Sequence, residues 1–141
     1  MTNTQSALAL AARVLLAFMF ITAGVSKLGD VSGTMAYTAS GGIPGFLAIP
    51  AIALEILGGI AILVGFRTRE FALALAAFVV VAGYLFHFVP AQGLEGFARM
   101  GEMNQFFKNV TIAGGFLMLA AFGPGALSVD ARAGRSAPLA A

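Results

Sequence analysis

Long apolar stretches alternate along the chain with short polar or glycine-rich intervals, and four of them stand out, at residues 7–27, 44–66, 71–90 and 104–123. Each matches one crossing of a bilayer's hydrocarbon core, which takes about 20 residues. Period-2 alternation is absent, and each run exceeds the roughly ten residues of a barrel strand, so helices are predicted. Only Arg67-Thr68-Arg69-Glu70 separates the second run from the third, a connection short enough for an antiparallel helical hairpin. The second run opens on the turn signal SGGIPG, and Gly-Pro-Gly at 123–125 stops the fourth. Proline cannot continue that helix, and glycine accepts a left-handed cap. In the connection 91–103, Glu95 and Arg99 stand at i,i+4 and Leu94, Phe97 and Ala98 form a stripe, which predicts a short interfacial helix between the third and fourth spans. The pattern predicts an all-α integral membrane protein, an antiparallel four-helix bundle occupying 1–125. The tail 126–141 is small and polar and is predicted to be disordered.

Composition narrows the possibilities. Of 141 residues, 60% are hydrophobic and only 10% charged, far below the roughly 25% of a soluble domain. An ordinary soluble enzyme and a disordered chain are both excluded. With no cysteine, so are a disulfide-stapled domain and any thiol or cysteine–metal chemistry. The net charge of +2 is too small for a nucleic-acid footprint. The segment MTNTQS lacks Lys and Arg, and Arg13 interrupts the first apolar run; both argue that this run is a retained span and not a cleaved signal peptide. Four crossings put both termini and the 67–70 turn on one side with Arg67, Arg69, Arg132 and Arg135, opposite Lys27, Arg99 and Lys108. The excess predicts cytoplasmic termini.

Ionisable groups within a bilayer cost roughly 2.5–3.5 kcal/mol each and usually face partners inside the bundle. Arg13, Glu55, His87 and Lys108 therefore need explaining. Arg13, Ala17, Phe20, Gly24 and Lys27 share one face of the first helix, with the two cations about 21 Å apart along it. Ala51, Glu55, Gly58, Gly59 and Ile62 share a face of the second, where small residues allow close approach. Glu55 is within reach of Arg13 on this reading, as a structural pair or a proton relay. Val80, Tyr84 and His87 align on the third helix, and Lys108, Thr111, Gly115 and Met118 on the fourth. If Lys27, His87 and Lys108 all face inward, they form a basic pocket in which Tyr84 and Asn109 add hydrogen-bonding groups. Such a pocket suits a flat carbonyl-bearing ligand such as a quinone head group. Against it, either lysine can simply snorkel to the head groups, and His87 can be a satisfied structural histidine. One histidine without cysteine gives no metal or haem ligand set, and no phosphate loop, hydrolase triad or zinc motif is present.

The motifs together resemble the DoxX family of small bacterial membrane proteins. The resemblance runs from about Arg13 to Asp130. It rests on Arg13 followed by Gly24-Val25-Ser26-Lys27; on Glu55, Gly58, Gly65 and Arg67; on His87; on Phe107-Lys108-Asn109 and Gly114-Gly115; and on the ending Gly123-Pro124-Gly125-Ala126-Leu127-Ser128-Val129-Asp130. That ending is the most specific piece, although Ala126 replaces the usual aromatic or basic residue. The resemblance implies a four-helix bacterial inner-membrane protein with a quinone-linked or redox-accessory role. The family's name derives from a relation to a membrane subunit of thiosulfate:quinone oxidoreductase, and some members look like parts of membrane oxidoreductase complexes that handle thiol and oxidative stress. Without cysteine this chain cannot itself exchange disulfides, so electrons would pass through a bound ligand or a partner.

The combined expectation is a bundle that binds a small ligand, a quinone for choice and with no covalent cofactor, as a subunit or accessory of an oxidoreductase. Lys27, His87, Lys108, Asn109 and Tyr84 would contact the ligand, and Glu55 and Arg13 would hold the interior. Partners would be the lipid bilayer, an oxidoreductase subunit or a second copy. The rival readings are a small permeation unit and a non-catalytic structural partner associating through its glycines.

Overall fold

The computed structural model describes residues 2–135. Four of its helices are long and apolar enough to cross a membrane: α1 (Asn3–Leu28), α3 (Gly45–Val64), α4 (Thr68–Ala91) and α5 (Gly96–Phe122). Two short helices, α2 (Val31–Ser40) and α6 (Val129–Arg132), complete an all-helical membrane bundle. A reciprocal capping box starts α1: the Thr2 hydroxyl accepts from the Gln5 amide, and the Gln5 side chain accepts from the Thr2 amide. Gly65, at φ 72°, ends α3. The Phe66 amide reaches the Ala61 carbonyl at 2.8 Å and the Gly65 amide the Ile62 carbonyl at 3.2 Å. This paired closure satisfies carbonyls that the helix end would otherwise strand in lipid.

Packing of α1 on α3 follows a ladder of small residues. A Cβ on Gly59 would sit 3.2 Å from the Ile21 nitrogen, and one on Gly24 would sit 3.3 Å from the Ile56 nitrogen. Helices surrounded by lipid gain little from water release, so such close contact is what holds them together. The core is filled by Phe20, Ile62, Leu75 and Phe116, with Ala17, Ala72 and Ala113 between them. Phe20 meets Phe116 edge to face, centroids 5.2 Å apart, the arrangement that ring quadrupoles favour.

One end of the bundle, here the terminal end, carries the start of α1, the segment after α5 and the α3–α4 turn. Arg13 organises it from full burial, 1% exposed. Its Nη1 donates to the carbonyls of Pro124 (2.8 Å) and Leu127 (2.9 Å), and its Nη2 to those of Leu63 (3.0 Å) and Leu127 (2.9 Å). The rigid guanidinium fork thus ties α1 to the end of α3 and to the segment after α5. Asp130 forms the second tie. Its carboxylate accepts from the Arg67 amide (3.0 Å), the Thr68 amide (2.8 Å), the Thr68 hydroxyl (2.8 Å) and Arg135 Nε (3.1 Å). It caps the free amides at the start of α4 from across the fold and holds Arg67 in its left-handed conformation, φ 41°. Burial pushes the Asp130 carboxyl up, but the bonds from Thr68, Arg67 and Arg135 outweigh it and leave the group below its ordinary value of 3.8.

Two expectations need correcting. The short extra helix lies between the first and second spans, as α2, and not between the third and fourth. Glu95 instead sits at the N-cap of α5, which runs unbroken from Gly96, because nothing after it interrupts the backbone ladder and Gly101 is tolerated. Residues 126–135 are not a disordered tail: Ser128 caps α6 and Asp130 and Arg13 bind the segment down. The polar side chains that suggested disorder are the ones that make these bonds. The remainder of that expected tail, 136–141, lies outside the described residues.

Asp130→Asn should lower stability by about 1–3 kcal/mol, the usual loss for charge-assisted hydrogen bonds, as read by thermal unfolding in detergent. A depressed carboxyl contributes stability that is fully present above its unfolded pKa and is lost as pH falls through the folded one. Acidification below about pH 4 should therefore destabilise the parent protein more than the Asn variant; equal acid sensitivity would contradict the tie.

Candidate functional site

Away from the terminal end, α3 and α4 part. Near the turn they pack together, with Gly58 against Leu75. Further on, the Ala48–Ala53 stretch packs on α1 and α2, while the Tyr84–Phe88 stretch packs on α5. A cavity of about 550 Å³ fills the gap, within the range of small-ligand sites. Its walls are largely apolar, from Phe20 on α1 to Leu85 and Phe86 on α4, with Lys27, Glu55, His87 and Asn109 among the few polar groups.

Lys27 Nζ donates to both carboxylate oxygens of Glu55, at 2.5 and 2.7 Å. The Glu55 side chain is 6% exposed and that of Lys27 37%. Across the cavity, His87 Nδ1 lies 2.7 Å from Glu102 Oε2. A carboxylate can only accept, so Nδ1 carries the proton, and Nε2 is the nitrogen left for a ligand. Glu55 and His87 each occupy a wide π turn, Leu54–Gly58 and Tyr84–Phe88. Such turns loosen the regular backbone ladder and recur at functional sites. Asn109 is buried on α5 because Gly83 faces it: a Cβ on Gly83 would lie 2.9 Å from the Asn109 amide nitrogen. Among the described residues, neither the Asn109 amide nor His87 Nε2 has a hydrogen-bonding partner in the protein. The Asn109 amide is therefore open to the cavity that it lines, whereas the fully buried side-chain atom without a partner is Arg13 Nε.

The remaining wall comes from α2, through Thr34, Tyr37 and Thr38. The Tyr37 ring stacks on Phe86, centroids 4.8 Å apart. Burial, and then the charge of Glu102, push the Tyr37 phenol above its ordinary range. Asp30 caps α2 by accepting from the Gly33 amide at 2.8 Å.

Of the residues singled out from the sequence, Lys27, Glu55, His87 and Asn109 line this cavity. Lys108 does not: it is exposed and bonds to Gln105 on its own helix. Neighbours on a helix point about 100° apart, and Asn109 takes the inward position. Tyr84 is also outside, 51% exposed and stacked on Phe88. The π turn shifts the angular register, so that Leu85, Phe86 and His87 reach the wall instead. The expected Arg13–Glu55 approach is replaced by two separate arrangements. Antiparallel packing sets Leu63 level with Arg13 and Glu55 level with Gly24 and Lys27. Glu102 and Tyr37 were not foreseen. Glu102, Phe106, Asn109 and Ala113 fall at helical steps of four, three and four, a signal that becomes visible once α5 is started before residue 104. Thr34, Tyr37 and Thr38 likewise share one helical face.

Residues 8–88 match the family model described as DoxX. The chain is 46% identical over 121 residues to inner membrane protein YqjF of Escherichia coli (strain K12), covering 86% of this chain and 88% of that one. It is 38% identical over 127 residues to inner membrane protein YphA of the same organism, covering 89% of each. CatD of Bacillus subtilis (strain 168), named as a candidate oxidoreductase, is 33% identical over 72 residues, 48% of this chain and 54% of CatD. No solved structure matches the chain.

Breaking the Lys27–Glu55 pair from one side should leave a charge stranded in the bundle. Lys27→Met and Glu55→Gln should each lower stability by about 2 kcal/mol, less than for a fully buried pair because Lys27 is partly exposed. The double variant should lose clearly less than the two single losses combined, measured by a double-mutant cycle of thermal unfolding. Simple additivity would refute the pairing.

Proposed function

The chain belongs to the DoxX family, and on that premise we propose that it is a bacterial inner-membrane protein that binds a quinone head group in the α3–α4 cavity as an accessory or subunit of a membrane oxidoreductase. The observation that carries this reading is the Asn109 amide, which has no hydrogen-bonding partner among the described residues and lines the same largely apolar cavity as His87. A quinone is flat and apolar with two opposed oxygens, and it supplies two-electron, two-proton redox chemistry when bound. The residues fit such a group. Asn109 can donate from Nδ2 to one carbonyl. His87, held by Glu102, can donate from Nε2 when protonated and accept there from a hydroxyl when neutral, so one side chain serves both the oxidised and the reduced ligand. Lys27, neutralised by Glu55, sets the polarity of the wall without leaving a bare charge in lipid. The names of YqjF and YphA support the inner-membrane placement, and that of CatD the redox association. The arginines of the terminal end, Arg67, Arg69, Arg132 and Arg135, favour cytoplasmic termini, which puts the cavity on the periplasmic side.

The transport alternative gains less support. Beneath the cavity the path is filled by Phe20, Ile62, Leu75 and Phe116, each at most 2% exposed, which favours a closed-ended binding site.

Lipid extracts of the purified protein should contain quinone in near-stoichiometric amount. His87→Ala and Asn109→Leu should each weaken quinone binding in nanodiscs by about tenfold, the value of one lost hydrogen bond to a desolvated partner. Lys108→Ala should leave it unchanged. Absence of binding to the parent protein, or equal loss in Lys108→Ala, would refute the proposal.

A further inference from the structure

Given quinone binding in this cavity, we infer that its ligand carries an apolar tail and reaches the cavity sideways from the lipid, through the gap between α3 and α4. The lining divides by element. Its charged groups and its amide turn toward α1 and α5: Lys27 is on α1, Asn109 on α5, Glu55 of α3 is paired with Lys27, and His87 of α4 with Glu102 of α5; the hydroxyls of Thr34, Tyr37 and Thr38 belong to α2. Between these paired groups and the lipid, α3 lines the cavity with Pro50, Ala51 and Leu54 and α4 with Val81, Ala82 and Leu85, all apolar.

Part of this apolar lining also reaches the outer surface. Val81 lines the cavity yet is 55% exposed, and Pro50 is exposed as well. Val81 lies ten residues before Ala91, the last residue of α4, which is about 15 Å along a helix. At that depth the surface it meets is hydrocarbon. The route along the bundle axis is filled toward the termini and narrowed by an aromatic pair at the other end. Toward the termini stand Phe20, Ile62, Leu75 and Phe116. At the other end α2 contributes to the wall, with Tyr37 stacked on Phe86. A cavity of about 550 Å³ also exceeds what one substituted ring fills. A ligand with a polar ring and a prenyl chain matches this division: the ring faces α1 and α5, and the chain runs out between α3 and α4.

The test compares two probes in nanodiscs, a methoxylated benzoquinone without a tail and the same ring carrying a tetraprenyl tail. Val81→Trp narrows the gap without touching a polar group. It should lower affinity for the tailed quinone by about tenfold and leave the tailless one within about twofold of the parent. Equal effects on both probes, or none on either, overturn the lateral route while leaving head-group binding intact. If neither probe binds the parent protein, both readings fall. A tailed quinone with a diazirine on the prenyl unit next to the ring provides a readout that needs no variant. It should label peptides holding Pro50–Leu54 or Val81–Leu85. Labelling confined to the separate apolar groove of Leu8, Leu15, Met118 and Phe122 overturns the inference.

Discussion

Arg13 sets the geometry of everything else. A guanidinium buried this deeply in a lipid-facing bundle has no water to fall back on, and its two terminal nitrogens bond to three backbone carbonyls while Nε is left without a partner. Those carbonyls are themselves the unmet ends of helices and turns. One cation therefore satisfies several orphan acceptors, and in doing so pins α1, the end of α3 and the segment after α5 to one point. Asp130 repeats the logic with opposite sign, meeting the free amides at the start of α4. With the terminal end fixed in this way, the α3–α4 hairpin is closed at its turn and separates toward the other end, where each helix follows a different neighbour.

The cavity is a consequence of that separation, and its polar groups are arranged so that no charge is left uncompensated. Lys27 answers Glu55, and Glu102 answers His87. Both pairs bridge helices on either side of the gap's inner wall, so they brace the walls as well as neutralise them. Asn109 is the exception. Gly83 allows it to point inward, no partner satisfies it among the described residues, and it lines the same cavity as His87. The two π turns place Glu55 and His87 on the wall by altering the angular register of helices that would otherwise present other side chains there.

These features make the site polar in depth and apolar at its lipid-facing edge. That asymmetry is what a membrane-soluble redox ligand requires, because its head must leave hydrocarbon for hydrogen bonds while its chain gains nothing by leaving. The apolar core of Phe20, Ile62, Leu75 and Phe116 closes the cavity on the side of the α3–α4 turn.

The sequence by itself determined the solvent, the helical class and the number of spans. Lipid leaves a backbone few ways to satisfy itself, so twenty-residue apolar runs and a four-residue turn were enough. It also singled out Lys27, Glu55, His87 and Asn109, since ionisable and amide groups in such runs are too costly to be incidental. Who pairs with whom was decided only by the tertiary structure. Arg13 and Lys27 share a helix face, and either could have answered Glu55 until the antiparallel register of α1 on α3 set the levels. Lys108 and Tyr84 were equally plausible as inward groups until the start of α5 and the π turn of α4 fixed which way each helix is rotated. Glu102 acquired a role only when α5 extended past its apolar run, and Asp130 only when the polar tail folded back. Periodicity reports what a helix can bury, but depth, rotation and partner are set by the neighbours it packs against.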